Sequence, residues 1–126
     1  MADRIALPIF QNDNYDTMRL RLLVILQSVV ITTTNTITAS TTVPSNPTTI
    51  LVNATSGPIT VTLPRAANMR NGTFFIKKID VSANAVTVAG GGTDTIDGAA
   101  TKVLAAAYNS ILICSDGATW WILANL

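Results

Sequence analysis

Apolar residues alternate with hydroxyl-bearing residues in the second half of the chain. In Ile59–Leu63 the apolar side chains are separated by threonines, so a strand here has one buried and one solvent-exposed face. Similar short runs recur every ~8–12 residues, with turn residues between them; they cover 49–53, 73–79, 85–89, 103–106, 110–115 and 119–123. The pattern predicts a mainly β fold, a small antiparallel β-sandwich or barrel of about seven or eight short strands.

Glycine-containing turns punctuate these runs. Ser56-Gly57-Pro58 predicts a hairpin between the first two strands, and Asp116-Gly117 predicts a terminal hairpin. Asn71-Gly72 predicts a turn after a short helical turn within Ala66–Arg70. Gly90–Gly92 is also interpreted as a turn, because the lysine and helix of a phosphate-binding loop do not follow it.

The segment 18–31 supports two interpretations. Its residues Met18, Leu22, Ile25 and Val29 are spaced like the seam of a short coiled coil. Its many β-branched residues favour a strand instead. A helix of ~14 residues is marginal alone and would need a partner surface. The apolar stretch is also shorter than the ~20 residues that cross a bilayer.

Residues 32–47 are rich in threonine, serine, asparagine and proline. We interpret them as an extended linker, with an edge strand of the body as the alternative. The predicted organisation is therefore an N-terminal arm with its linker over 1–47, serving oligomerisation or anchoring, and a β-sandwich knob over 48–126.

The amino-acid composition excludes several classes of function. The chain of 126 residues has no histidine and one cysteine, which excludes a catalytic histidine, a histidine-ligated metal and a disulfide within the chain. A net charge of +1 argues against a nucleic-acid surface. Only 12% of residues are charged while 48% are hydrophobic. Such a chain is covered by partners or kept soluble by its hydroxyl groups, and we predict no cofactor, no catalytic residue and no metal.

The remaining polar candidates have ordinary structural interpretations. Asp94, Asp97 and Asp116 each lie beside glycine, serine or threonine, and Asp80 lies two residues before Ser82. All four are predicted to shape turns, with an ion site as the alternative. Cys114 is predicted to be a buried, inert thiol, since no histidine can activate it. Lys77-Lys78 is interpreted as an exposed pair, although alternation could turn one lysine towards an edge or interface.

Trp120 and Trp121 are adjacent in the last predicted strand. Adjacent strand residues face opposite sides, so one tryptophan enters the core and the other is exposed or covered by a neighbouring chain. The outer one is favoured as a subunit-interface anchor. The alternative is a platform for a sugar ring, with Asp94 and Asp97 nearby.

The knob resembles a small β module of bacteriophage virion proteins, found in capsid decoration proteins and tail-fibre segments. The resembling segments are Ile59–Pro64, Asn71–Lys78, Ala85–Val88, Thr95–Gly98, Tyr108–Ile111 and Ser115–Trp121. The resemblance covers about half of the chain and implies a non-enzymatic scaffold that forms trimers on a virus particle, or projects from it.

A free-standing chain that starts at Met1 is more like a capsid decoration (cement) protein than a long tail fibre. The expected partners are other copies, as a homotrimer, and the major capsid protein; no nucleic acid and no membrane is expected. The expected location is the capsid surface of the virion, after synthesis in the host cytoplasm. Candidate interface residues are Met18, Leu22, Ile25, Val29, Trp120 and Trp121. The alternative is a tail-fibre or adhesin tip that binds host carbohydrate.

Overall fold

β-strands and their connecting turns make up the part of the chain described by the computed structural model, residues 33–46 and 48–126. A 3₁₀ turn covers Ala66–Asn68, where the sequence predicted a helical turn. The strands are β1 (Thr33–Ile37), β2 (Thr41–Thr42), β3 (Thr48–Val52), β4 (Ile59–Thr62), β5 (Thr73–Lys78), β6 (Val86–Ala89), β7 (Thr101–Leu104), β8 (Ser110–Ser115) and β9 (Trp120–Asn125). The mainly β prediction is confirmed. The segment 18–31, for which the sequence left a helix and a strand open, lies outside the described residues.

The described strands form two mixed sheets. One has the order β1-β3-β5-β8-β9 and the other β2-β4-β6-β7. Up to β6 the chain passes from one sheet to the other with each strand, so β1, β3 and β5 pair in parallel, as do β2, β4 and β6. The later pairs β5–β8, β6–β7 and β8–β9 are antiparallel. The purely antiparallel expectation and the barrel alternative are therefore wrong.

The Ser56-Gly57-Pro58 turn joins the two sheets. It was predicted to close a hairpin, but β3 pairs with β1 and β5, whereas β4 pairs with β2 and β6. Both strands bury alternate side chains in one common core: Ile50 and Val52 come from β3, and Ile59 and Val61 from β4. The Ser56-Gly57-Pro58 sequence correctly indicated a turn. The two strands lie in opposite sheets because each buries its apolar face against the other in the common core.

Part of the predicted linker belongs to the knob. β1 forms the edge of the five-stranded sheet, with Thr33 paired to Thr48 and Ile37 to Val52. β2 pairs with β4. The edge-strand alternative is therefore right for this segment, and the boundary at residue 47 is wrong. The error arose because threonine is as typical of strands as of a polar linker.

Apolar side chains from both sheets meet in one core. Trp120 is its largest fully buried side chain and lies against Phe74, with ring centroids 5.6 Å apart. The indole Nε1–H of Trp120 donates to the Pro64 carbonyl at 3.2 Å, so its polar atom is satisfied inside the core. Burying a large apolar side chain contributes about 1.5–3 kcal/mol, which makes this cluster the main source of stability.

The terminal hairpin is confirmed, since β8 and β9 pair across Asp116-Gly117. Gly117 has φ of 95°, a left-handed conformation that glycine adopts without steric cost. The Asp116 carboxylate accepts from the backbone N–H groups of Ala118 and Thr119 at 2.8 and 2.9 Å. This turn fixes the start of β9 and thereby the position of Trp121.

The Gly90–Gly92 turn is tight because backbone passes close to it. A Cβ atom at Gly91 would come within 2.6 Å of the Leu63 carbonyl oxygen. The glycines are thus required by close packing, in agreement with the turn interpretation.

Candidate interaction surface

The outer face of the five-stranded sheet carries a group of apolar side chains on neighbouring strands. Phe75 is paired with Leu112 and Cys114 with Trp121, while Leu51 lies on the adjoining strand β3. We call these five residues the apolar outer face. Phe75 and Trp121 are each 45% exposed, which is unusual for two large aromatic side chains on one sheet face.

A β-bulge enlarges the exposed apolar area at the margin of this face. The β8–β9 register shifts between Leu112 and Ile113, which pair with Ala124 and Ile122. Leu123 is the extra residue between these pairs and is 59% exposed. Bulges bend an edge and present side chains away from regular pairing, so Leu123 adds apolar surface beside Trp121.

The charges that border the apolar outer face are already bonded within the chain. At one end the Lys77 ammonium donates to the Tyr108 carbonyl at 2.8 Å and lies 5.8 Å from the centre of the Tyr108 ring. At the other end the Trp121 indole N–H donates to the Asp116 carboxylate at 2.8 Å. Arg70 donates to the Asp116 carbonyl at 2.9 Å. These hydrogen bonds hold the charged groups in fixed positions at the margin of the face.

Asp116 holds Trp121 in place through an ionised carboxylate. The indole N–H of Trp121 and then the N–H groups of Thr119 and Ala118 lower the pKa of Asp116 to about 2, because hydrogen bonds to a carboxylate favour its charged form. A pKa below the unfolded value stabilises the fold above the unfolded pKa of about 4. That stabilisation is lost as the pH falls towards 2.

We expect Asp116→Asn to lower the melting temperature at neutral pH, since the amide keeps the side-chain shape but removes the charge that Trp121 and the turn N–H groups face. The difference between wild type and variant should narrow as the pH falls from about 4 to about 2, where the wild-type carboxylate becomes protonated. Thermal unfolding by circular dichroism at stepped pH values measures this difference. A gap that stays constant down to pH 2 would contradict the assignment.

A buried ionic network lies on the inner side of β5. Lys78 is fully buried, and its ammonium donates to the Asp80 carboxylate at 2.7 Å and to the Ser82 carbonyl at 3.0 Å. The same carboxylate accepts from the N–H groups of Ala54 and Ser82 and bonds the Ser82 hydroxyl. Led by the bond from Lys78, these contacts hold the pKa of Asp80 well below its usual range.

This network corrects the interpretation of Lys77-Lys78 as an exposed pair. Phe74, Ile76 and Lys78 follow the same alternation into the interior, so Lys78 is buried and Lys77 borders the outer face. The Lys-x-Asp spacing of Lys78 and Asp80 was the available signal, because it places an ammonium within reach of a carboxylate at the strand end. Its partners tie the loops after β3 and β5 together, which is a structural role.

The other aspartates also serve turns and edges. Asp94 accepts from Arg65 at 3.1 Å and from the Ala66 N–H at 2.6 Å, and its pKa is lowered chiefly by the Arg65 hydrogen bond. Asp97 accepts from the Ile122 N–H at 3.0 Å on the free side of β9. Within residues 33–46 and 48–126, no three histidine, cysteine or acidic side chains lie close enough to hold a metal ion.

The two tryptophans have separate environments, as the alternation predicted. Trp120 is buried in the core and Trp121 is exposed. Trp120 is therefore enclosed by its own chain and unavailable to a partner, which corrects its place among the candidate interface residues. Trp121 remains a candidate. Met18, Leu22, Ile25 and Val29 lie outside the described residues.

Cys114 is half-buried on the apolar outer face, so the prediction of a buried thiol is wrong. It neighbours Trp121 on β9 and Thr73 on β5. Sequence reasoning also missed Phe75, because a strand with two adjacent aromatic residues, Phe74 and Phe75, gave no indication of which one faces the core.

A separate concave region lies between β1 and the segment after β2. Its volume is about 340 Å³, and Ile37, Thr38, Ser40 and Val43 are among the residues that line it. Among the described residues that line it, the polar side chains are hydroxyl groups and the amide of Asn35.

Comparison with known proteins found no matching family model and no matching curated protein. In the part of the chain that the structure describes, no helix has the length and hydrophobicity needed to span a bilayer.

Proposed function

We propose that this chain is a non-enzymatic structural protein of a bacteriophage virion, a capsid decoration protein that binds the assembled head as a trimer. The observation that carries the proposal is the apolar outer face. Phe75 and Trp121 project from a sheet whose inner side is anchored in a single core. A preformed face of this kind binds a partner with little ordering cost.

The mechanism is thermodynamic linkage. A protein that binds the assembled lattice and not its dissociated subunits stabilises the lattice, by an amount that grows with its free concentration relative to its dissociation constant. Many copies add their contributions over the shell, and a trimer engages several subunits at once. Low surface charge suits this role, because burying an unpaired charge in an interface costs free energy.

The roles of the acidic side chains support a structural rather than a catalytic function. Asp80, Asp94, Asp97 and Asp116 each accept at least one backbone N–H hydrogen bond in the described part of the chain. Their carboxylates are thereby committed to turns and strand ends. The apolar outer face, which exposes Phe75 and Trp121, is made of Leu, Phe, Cys and Trp. Exposed aromatic side chains of this kind are typical of contacts between proteins.

The second candidate function is a tail-fibre or adhesin tip that binds host carbohydrate. The observation in its favour is that Trp121 is half exposed and held in one orientation by Asp116. A fixed indole face next to a carboxylate can stack on a sugar ring and accept hydrogen bonds from its hydroxyl groups. Asp94 and Asp97, the carboxylates first considered for this site, are engaged with Arg65, Ala66 and Ile122 instead.

Rebinding to stripped particles distinguishes these functions. We expect the full chain to co-sediment with purified heads from which the protein has been removed, and to raise the temperature at which those heads release DNA. Dissociated capsid subunits should not bind it. A glycan array provides the opposing measurement: specific sugar binding through Trp121 without binding to heads would replace the decoration function with the adhesin function.

A further inference from the structure

We propose that the outer edge of β1, the side of this strand that faces away from β3, is a site of strand addition. An extended segment of the capsid protein pairs there with the five-stranded sheet. The inference rests on the proposed function for the identity of the partner, and it adds a backbone contact to that function. Its basis is a strand edge that lacks the usual protection, together with a concave region directly beside it.

The edges of the two sheets differ in how they are protected. In the part of the chain that the structure describes, the edges are β1 and β9 of one sheet and β2 and β7 of the other. Proteins block sheet edges with short strands, with lysine or proline, with bulges or with covering groups. β2 has only two residues and is followed closely by Pro44, and β7 carries Lys102.

β9 is protected in two ways. A bulge interrupts its pairing with β8 between Leu112 and Ile113. On its other side the Ile122 N–H donates to the Asp97 carboxylate at 3.0 Å, and the Asp97 N–H donates to the Trp120 carbonyl at 3.0 Å. A further strand could pair with β9 only by displacing Asp97.

β1 shows none of these devices. Its five residues, Thr33–Ile37, are uncharged and include no proline, and the first four are exposed. Their register with β3 runs without a shift. Among the strands of residues 33–46 and 48–126, β3 alone pairs with β1. This part of the chain therefore presents a regular strand edge at β1, the kind of edge that pairs with another strand.

The backbone of β1 determines which groups a partner meets. The Ile37 carbonyl accepts from the Asn53 N–H at 3.0 Å, so the peptide groups of Ile37 point towards β3. Because these groups alternate in direction along a strand, the N–H and C=O groups of Thr34 and Thr36 point away from β3. Another extended backbone matches these donors and acceptors. An apolar side-chain surface would desolvate them without pairing them, which costs free energy.

The concave region of about 340 Å³ lies on the core side of the same strand. Asn35 pairs with Ile50 and Ile37 with Val52, whose side chains are buried. Asn35 and Ile37 therefore face the core side of the sheet, and both line the concave region. Every second side chain of an added strand points to this side and can enter the region. Main-chain bonds combined with pockets for alternate side chains are the usual form of strand addition.

The lining of the concave region defines the chemistry of the segment that fits it. Its apolar side chains include Ile37, Val43 and Pro44, and among the described lining residues the polar groups are hydroxyls and the Asn35 amide. A charged side chain placed here would be desolvated without a counter-ion. The segment is therefore extended and uncharged, and in the proposed function the capsid protein supplies it.

Amide hydrogen exchange on the full-length wild type tests the inference without any substitution. We expect the peptide that contains β1 to exchange rapidly in the free protein at low concentration. Binding to stripped heads should slow this exchange by about tenfold or more, because paired amides exchange only when the pairing opens. The peptide that contains β6, an inner strand of the other sheet, is the reference and should not change.

Thr36→Pro and Thr36→Val form a matched pair of variants. Proline removes the N–H on the outer edge and leaves the pairing with β3 in place, whereas valine removes only the hydroxyl and keeps the β-branched shape. Thr36→Pro should weaken binding to stripped heads by about tenfold or more, and Thr36→Val should bind like the wild type. Near-ultraviolet circular dichroism, which reports the packing of Trp120, checks that both variants are folded.

The outcomes separate the inference from the proposed function. Binding of the wild type with protection confined to the apolar outer face, or equal binding by Thr36→Pro and Thr36→Val, would overturn the inference and keep the decoration function. Slow exchange of β1 in the free protein would also overturn it, because the chain itself then covers the edge, or other copies do if protection grows with concentration. A wild type that never binds heads would reject the decoration function and, with it, the capsid protein as the partner.

Discussion

Trp120→Ala should lower the free energy of unfolding by about 3–5 kcal/mol, the range for removal of a large aromatic side chain from a packed core. Trp120 is fully buried, packs against Phe74 and satisfies its indole N–H on Pro64. Its loss leaves a cavity and an acceptor without its donor. Urea unfolding followed by far-ultraviolet circular dichroism measures the change.

The neighbouring substitution Trp121→Ala is the control for this prediction. Trp121 is 45% exposed, so its truncation should cost much less unfolding free energy. Because self-association adds to apparent stability, both variants are compared at a concentration at which the wild type is dissociated. Equal losses for Trp120→Ala and Trp121→Ala would contradict the assignment of one tryptophan to the core and one to the surface.

Lys78→Met should lower the free energy of unfolding by a similar amount, about 3–5 kcal/mol, because breaking a buried ion pair by removing one partner leaves the other uncompensated. Methionine keeps much of the length and volume of the lysine stem, so packing is largely preserved. What is lost is the ammonium that donates to Asp80 and Ser82. The same urea titration provides the measurement.

Lys77→Met is the matched control, since the two lysines are adjacent on β5 but differ in exposure. Lys77 borders the outer face and donates to the exposed Tyr108 carbonyl. Its replacement should cost no more than about 1 kcal/mol, as for other surface charge contacts. If Lys77→Met and Lys78→Met destabilised the protein equally, the buried network would have no special role.

Local pattern predicted the strands better than their partners. The alternation in Ile59–Leu63 correctly indicated one buried and one exposed face, and Asp116-Gly117 correctly indicated a hairpin. The pairing of β3 with β1 and β5 could not be deduced, because strand order depends on which apolar faces meet in the core. The same limit explains the missed parallel pairing.

Only part of the candidate surface could be predicted from the sequence. Alternation showed that the two tryptophans face opposite ways but not which one is outside. That depends on the register of β9 against β8, where Ser115 pairs with Trp120 and Cys114 with Trp121. Lys78 was misassigned because a lysine is rarely buried unless an acidic partner lies within reach. That partner is Asp80, and the turn of the chain after β5 is what brings its carboxylate to the Lys78 ammonium.

The proposed function requires this knob to make contacts within a virus particle. Quantitative mass spectrometry of purified particles tests it most directly. We expect the chain to be present at a fixed ratio to the major capsid protein and to be retained through washing. Particles that lack the chain, purified from cells that contain it, would contradict the proposed function.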